Sequence, residues 1–215
     1  MGGEGVPKQY LPLGRRSMLE HSIDAMLTDA RVERVFAVVA AGDDRWRGLH
    51  VDAERVEFLP VGGASRAETV RNGLLAVAGR YEDDDRVLVH DAARPCLSEA
   101  LLARLIDEAG CEDSGGLLAV PLADTLKRGE DGRVGLTLDR SSLWCAQTPQ
   151  LFRVGSLRAA LASTPLAGLT DESSAMERAG HAPRLVTGAS ANLKVTTPED
   201  LVLAAAVLKS QGRLH

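Results

Sequence analysis

Short apolar runs rich in β-branched residues alternate with capped, helix-like segments along most of the 215 residues, and this alternation limits the fold more than any other feature. Residues 32–40, 56–61, 86–90 and 116–121 each read as a buried strand, with a shorter one at 184–186. Helical segments fall between them. Ser17 with Glu20, and Ser65 with Glu68, form capping-box patterns, in which each side chain satisfies a backbone N–H that the first turn leaves free. The first opens a helix to about residue 29; the second opens one to about residue 78, with Val70, Leu74 and Val77 along one face. Ser98 caps a third helix that stops near Gly110. Residues 153–163 have a helical period, and Thr170 starts a helix ended by Gly180. Thr197-Pro198-Glu199-Asp200 supplies an N-cap, a proline at the first helical position and acids in the first turn. Alternation of this kind predicts an α/β fold, a mainly parallel sheet with helices on both faces. Hydrophobic residues make up 45% but aromatics only 3%, so the core must be mostly Leu, Val and Ala, which suits a helix-covered sheet.

One stretch breaks the alternation. Residues 122–145 are polar and alternating, and Asp131-Gly132 between two short runs is a hairpin signal. They read as a β-arm protruding from a single domain over residues 1–215, with an ordinary surface loop as the plainer alternative. The net charge of −5 argues against a general nucleic-acid binder, though it leaves room for a local basic pocket. Cys96, Cys111 and Cys145 are odd in number and widely spaced, which points to reduced thiols in the cytoplasm rather than a disulfide or a metal site. The first residues lack the apolar run of a signal peptide, and no stretch approaches the ~20 apolar residues of a membrane span.

Several short motifs carry possible chemistry. Lys8 stands just before the first helix, where it is either solvated or reaches a phosphate held at the helix start. Gly62-Gly63 follows a strand and precedes a helix, so it is either a simple turn or a place where backbone approaches a ligand closely. His90-Asp91-Ala92-Ala93-Arg94-Pro95 is more specific. Asp91 falls at the carboxyl end of a strand, where open α/β sheets bind ligands. A carboxylate there suits Mg²⁺, which takes few protein oxygens and shares substrate phosphates. Ala92 and Ala93 leave room, and Arg94 can meet a phosphate with two bonds. The plainer reading has Asp91 capping the next turn, and His90 reads as structural. Thr125, Lys127, Asp139 and Arg140 lie on the arm, where they are solvated or serve a partner surface. Thr148, Thr170 and Lys194 sit at element ends, where each alone reads as a cap or turn.

Taken in order, PKQYLPLG, GG-x-x-R-x-x-[ST]-V over residues 62–70, VHDAARP over 89–95, DT-x-K over 124–127, DR-x-x-LW over 139–144, QTPQ-x-F over 147–152, TDE-x-x-A over 170–175 and NLKVTTPEDL over 192–201 resemble the 2-C-methyl-D-erythritol 4-phosphate cytidylyltransferase family. The resemblance runs through nearly the whole chain. It implies a Rossmann-like nucleotidyltransferase fold and a reaction of CTP with 2-C-methyl-D-erythritol 4-phosphate. The products would be 4-diphosphocytidyl-2-C-methyl-D-erythritol and pyrophosphate, on the methylerythritol phosphate route to isoprenoid precursors. The implied cofactor is Mg²⁺ or another divalent cation. By position, Lys8 and Lys194 resemble the lysines beside the reacting phosphates, and Asp91 the carboxylate on the metal side. Gly63 and Thr69 resemble residues around the cytidine. Arg94, Thr125, Arg140, Thr148 and Thr170 resemble those that hold the methylerythritol phosphate, with Thr125 and Arg140 supplied by the arm of the other subunit of a homodimer. Pentitol phosphate cytidylyltransferases have overlapping motifs; the arm residues lean toward methylerythritol phosphate.

The family pattern opens with an apolar strand and A-A-G-x-G-x-R-M, whereas this sequence starts Met1-Gly-Gly-Glu-Gly-Val-Pro7, its Met1 aligned with the methionine of that loop. Ala64 also stands where some members carry an acid. In a doubly wound sheet the first strand is central. The expectation is therefore an open lane roughly 9–10 Å wide between the strands at 32–40 and 86–90, with weak CTP binding and low turnover. Direct pairing of those two strands would instead mark a self-sufficient short fold and favour a weakly active or inactive member.

Overall fold

A computed structural model describes residues 5–214. In chain order its strands and helices are β1 (Pro12–Leu13), β2 (Arg16–Ser17), α1 (Met18–Met26), β3 (Val35–Ala40), β4 (Val56–Gly62), α2 (Arg66–Ala76), β5 (Arg86–Val89), α3 (Glu99–Ala109), β6 (Gly116–Pro121), β7 (Leu126–Glu130), β8 (Arg133–Leu138), β9 (Trp144–Arg153), α4 (Val154–Ser163), α5 (Glu172–Arg178), β10 (Arg184–Thr187) and α6 (Pro198–Ser210). Short 3-10 turns lie at Lys8–Tyr10 and Arg45–Gly48.

Local signals place most helix starts. The Ser17 hydroxyl accepts from the Glu20 N–H, and the Glu20 carboxylate accepts from the Ser17 N–H at 2.7 Å. At α2 the box is incomplete: Ser65 caps Glu68, but the Glu68 carboxylate takes the N–H of Ala64 instead of Ser65. The cap of α5 is Asp171, one residue beyond Thr170, because the Asp171 carboxylate reaches the Ser174 N–H. Thr197 and Asp200 form a full box before Pro198.

The main sheet has four strands in the order β10-β6-β9-β5. β10 and β6 run parallel, and β9 runs antiparallel to both β6 and β5. The long β9 is not legible in the sequence, since Pro149 interrupts it and a proline cannot join a central ladder. The ladder tolerates it through an irregularity: β9 pairs Ala146 with Ala119 and Gln150 with Leu117, so residues 147–149 face Leu118 alone. On one face α3 packs Leu102 and Leu105 against Leu118, Leu151 and Val186. On the other, α4 and α5 bring Leu157, Leu161 and Met176 onto Phe152. Helices thus cover both faces of a mixed α/β sheet.

β3 and β4 pair in parallel as a separate two-stranded sheet. β3 and β5 do not pair with each other. Among the described residues, neither has a strand on its second edge. Both instead line one cavity of about 770 Å³, walled by Ile23 and Met26 of α1 and by Gly73 and Leu74 of α2. Every residue of the apolar β5 is only partly buried. The sheet has not closed over the lane.

β7 and β8 form an antiparallel hairpin of their own. Asp131 (φ 49°) and Gly132 (φ 75°) both adopt the left-handed backbone that a two-residue hairpin turn of matching twist requires. The stretch is a hairpin rather than an irregular loop, and nearly all of it is exposed.

Candidate active site

Asp91 lies two residues beyond the end of β5, and its side chain is 13% exposed. One carboxylate oxygen accepts from the Arg66 Nε at 2.8 Å, and the other lies 2.8 Å from the Lys194 Nζ. The Asp91 N–H donates to the Thr148 hydroxyl of β9 at 3.0 Å. Burial pushes the Asp91 carboxyl up, but Arg66 and Lys194 outweigh it and hold the group well below the usual carboxylate range. The two cations thus favour the ionised form of Asp91. Arg66, at the start of α2, continues to Glu172 at the start of α5, donating to its two oxygens at 2.6 and 2.9 Å. Burial lifts the Glu172 carboxyl above its ordinary value, with Arg66 opposing.

Behind Asp91 lies a second layer. The Thr148 hydroxyl accepts from Asp91, so its proton points to His90 Nδ1 at 3.1 Å. His90 Nε2 then carries the hydrogen and donates to the Arg94 carbonyl at 3.0 Å. Burial pushes His90 down to about 4, which keeps the ring neutral and structural. The Arg94 guanidinium, buried, donates to the backbone carbonyls of Asn192 (2.6 Å) and Ala146 (3.3 Å). It thereby ties the Lys194 loop to β9.

Lys8, Thr69, Asp91 and Lys194 line the cavity that also runs between β3 and β5. Cations and one ionised carboxylate lining a single cleft are suited to a polyphosphate. No group of three metal-ligating side chains occurs among the described residues. The donor set fits a hard divalent cation that takes its remaining oxygens from phosphate and water, and no softer metal.

Comparisons with known proteins show the family. A family model described as IspD, 2-C-methyl-D-erythritol 4-phosphate cytidylyltransferase, matches residues 2–210. The chain belongs to this family. Curated relatives of that name include one from Pseudomonas entomophila strain L48, 52% identical over 200 residues, covering 91% of this chain and 85% of the relative. Another, from Laribacter hongkongensis strain HLHK9, is 53% identical over 209 residues, covering 96% and 90%. A crystal structure of a 4-diphosphocytidyl-2C-methyl-D-erythritol synthase superposes with a TM-score of 0.87 at 44% identity, covering 94% of this chain and 95% of that one. The Francisella tularensis cytidylyltransferase gives 0.84 at 33% identity, covering 94% of both.

Against the cytidylyltransferase pattern, the structure gathers some of the expected residues and separates others. Gly63 lies beside the cleft, its N–H donating to the Thr69 hydroxyl at 3.0 Å, and a Cβ there would sit 2.3 Å from Glu68 Cγ. Lys8 approaches the Val195 carbonyl at 3.5 Å, next to Lys194. Arg94 and Thr148 stand behind Asp91, already bonded to backbone and to His90. Thr170 is exposed, just ahead of the Asp171 cap. Thr125 and Arg140 are exposed on the arm and do not line the cavity of their own chain. Sequence reasoning did not single out Arg66 and Glu172. Both fell inside quoted motifs, but nothing local shows that residues 106 positions apart share a salt bridge.

Proposed function

We propose that this chain joins CTP to 2-C-methyl-D-erythritol 4-phosphate, giving 4-diphosphocytidyl-2-C-methyl-D-erythritol and pyrophosphate for isoprenoid precursor synthesis. The sugar-alcohol phosphate oxygen attacks the α-phosphorus of CTP; the bond to the bridging oxygen of the β-phosphate breaks, and pyrophosphate leaves. The carrying observation is Asp91, ionised at a strand end and flanked by Lys194, in one cleft with Lys8. Lys8 and Lys194 balance charge on the phosphates, and catalysis rests on positioning and electrostatics rather than a protein nucleophile. Asp91 would hold Mg²⁺, which when bound neutralises charge on the triphosphate. Gly63 and Thr69 are assigned to the cytidine side. Arg94, Thr148 and Thr170 are assigned to the methylerythritol phosphate side.

Thr125 and Arg140 are assigned to the same substrate in a neighbouring subunit, with the arm as the contact of a homodimer. Support comes from the apolar side chains that the stretch leaves exposed: Val134 (66%), Leu136 (51%), Leu143 (40%) and Trp144 (39%). No described helix is long and apolar enough to cross a membrane, and the three free thiols fit a cytoplasmic enzyme. The relatives cited carry the methylerythritol phosphate name, which favours that substrate over a pentitol phosphate.

The test is CTP-dependent pyrophosphate release with each sugar phosphate. Activity is expected with methylerythritol phosphate, and Asp91→Asn should lower turnover about 10²–10³-fold while the protein stays folded. Near-wild-type turnover of Asp91→Asn at low Mg²⁺ would remove Asp91 from the metal side. A fully active monomer by light scattering would remove the arm from the site.

A further inference from the structure

The two cations on Asp91 are not equivalent. Lys194 is 41% exposed in its side chain, and among the described residues its one ion pair is the single contact to Asp91. Arg66 makes three charge-assisted bonds: one to Asp91 through Nε, and two to Glu172 through its terminal nitrogens. Glu172 is 1% exposed in its side chain and meets no other cation among the described residues. Its loop is anchored in turn, since Asp171 accepts from the Gln150 side chain of β9 at 2.9 Å and caps α5. Asp91 is therefore gripped from two sides by the main sheet: its N–H by Thr148 of β9, and one carboxylate oxygen by a guanidinium that β9 and α5 hold through Glu172. A planar fork fixed at three points keeps its geometry, whereas a lysine on a flexible stem held at one point exchanges partners readily.

From this asymmetry we infer that Arg66, locked by Glu172, is a positioning residue. It fixes one Asp91 oxygen and leaves only the other, the Lys194-facing oxygen, to meet a metal. Lys194 holds that oxygen in the ligand-free protein and transfers to phosphate when the triphosphate arrives. The carboxylate is thus presented with one free oxygen and one orientation. This rests on the reading of Asp91 as the metal-side carboxylate.

Charge alone predicts the opposite sign, which makes the inference testable. A cation 2.8 Å from Asp91 repels a metal ion, so deleting it should tighten metal binding if Arg66 acts only through charge. If Arg66 acts by position, its loss should weaken binding. The measurement is Mn²⁺ binding in the presence of CTP, followed by the electron paramagnetic resonance of free Mn²⁺, on the full chain and on variants whose folding is checked by thermal melting. Asp91→Asn is expected to abolish the CTP-dependent Mn²⁺ site; retained binding overturns the Asp91 reading and this inference with it. Arg66→Gln is expected to weaken Mn²⁺ about tenfold, and so is Arg66→Lys, which keeps the charge but loses the fork. Arg66→Lys carries the test if Arg66→Gln fails to fold. Glu172→Gln should move affinity in the same direction. In turnover, half-saturating metal should rise and kcat fall with KM for CTP little changed. Unchanged or tighter Mn²⁺ binding in Arg66→Lys, with the site lost in Asp91→Asn, overturns the positioning role and leaves the Asp91 reading standing.

Discussion

β6 and β3 carry the same kind of sequence, GLLAVP and VFAVVA, and meet different fates. In β6, Leu117, Leu118 and Ala119 are 3%, 0% and 0% exposed. In β3, only Ala37 and Val39 fall in the buried class, and Val35, Phe36 and Val38 are half-buried. β6 lies between β9 and β10 with α3 over it, whereas β3 is paired along one edge and faces the 770 Å³ cavity along the other. An apolar, β-branched run is enough to make a strand, but burial belongs to its neighbours. The open side is also where the candidate site lies, because Lys8, Asp91 and Lys194 line the same cavity. The less supported of the two sheets thus adjoins the cleft, a common arrangement where a ligand must enter.

The largest expected effect tests the packed side. Leu118→Ala should destabilise the protein by about 2–5 kcal/mol, as truncation of a fully buried leucine does. The truncation in β3, Val38→Ala, should cost about 1 kcal/mol or less, since Val38 is only partly buried and loses fewer carbons. Urea titrations of both variants decide the matter; equal costs would mean that β3 is buried in solution after all.

Next comes hydrogen exchange. Amides of β6 and β9 should exchange at the rate set by global unfolding, and those of β3 that point away from β4 about a hundredfold faster or more, equivalent to ~2.8 kcal/mol. Uniform protection across both regions would break the comparison.

A smaller effect concerns α1, which walls the cavity. Burial lowers the His21 pKa, with the bond from its ring to the Leu13 carbonyl at 3.0 Å opposing. A histidine that folds neutral favours the folded state at pH values above its unfolded pKa of ~6.5, and that contribution is lost as pH falls below it. Urea midpoints should therefore drop between pH 7.5 and 5, less so in His21→Gln. Identical acid sensitivity in the two proteins would sink this assignment.

The smallest effect is on the arm. Leu136 is 51% exposed, so Leu136→Ser should change monomer stability by less than about 0.5 kcal/mol. Melting measured across a range of protein concentrations checks this. A larger loss that depends on concentration would show that the arm is buried between subunits.

Whatever a few neighbouring residues decide, the sequence alone determined. The boxes at Ser17 and Thr197, the caps at Ser65 and Ser98 and the left-handed turn at Asp131-Gly132 are each settled within about five residues by hydrogen bonds or backbone sterics, and each stands where the sequence puts it. Asp91 was legible for the same reason, as a strand followed at once by a carboxylate and two alanines. Only the tertiary structure decided the rest. β9 needed Leu118 opposite residues 147–149 before a strand containing Pro149 could exist. Arg94, which looked free to meet a phosphate, and Thr148, which read as a cap or turn, are engaged by carbonyls and a histidine brought from elsewhere in the chain. The Glu172–Arg66–Asp91–Lys194 chain joins two helix starts and two loops across 128 positions, from Arg66 to Lys194. Its charges choose partners by distance in space, and a linear pattern of residues carries no record of that distance.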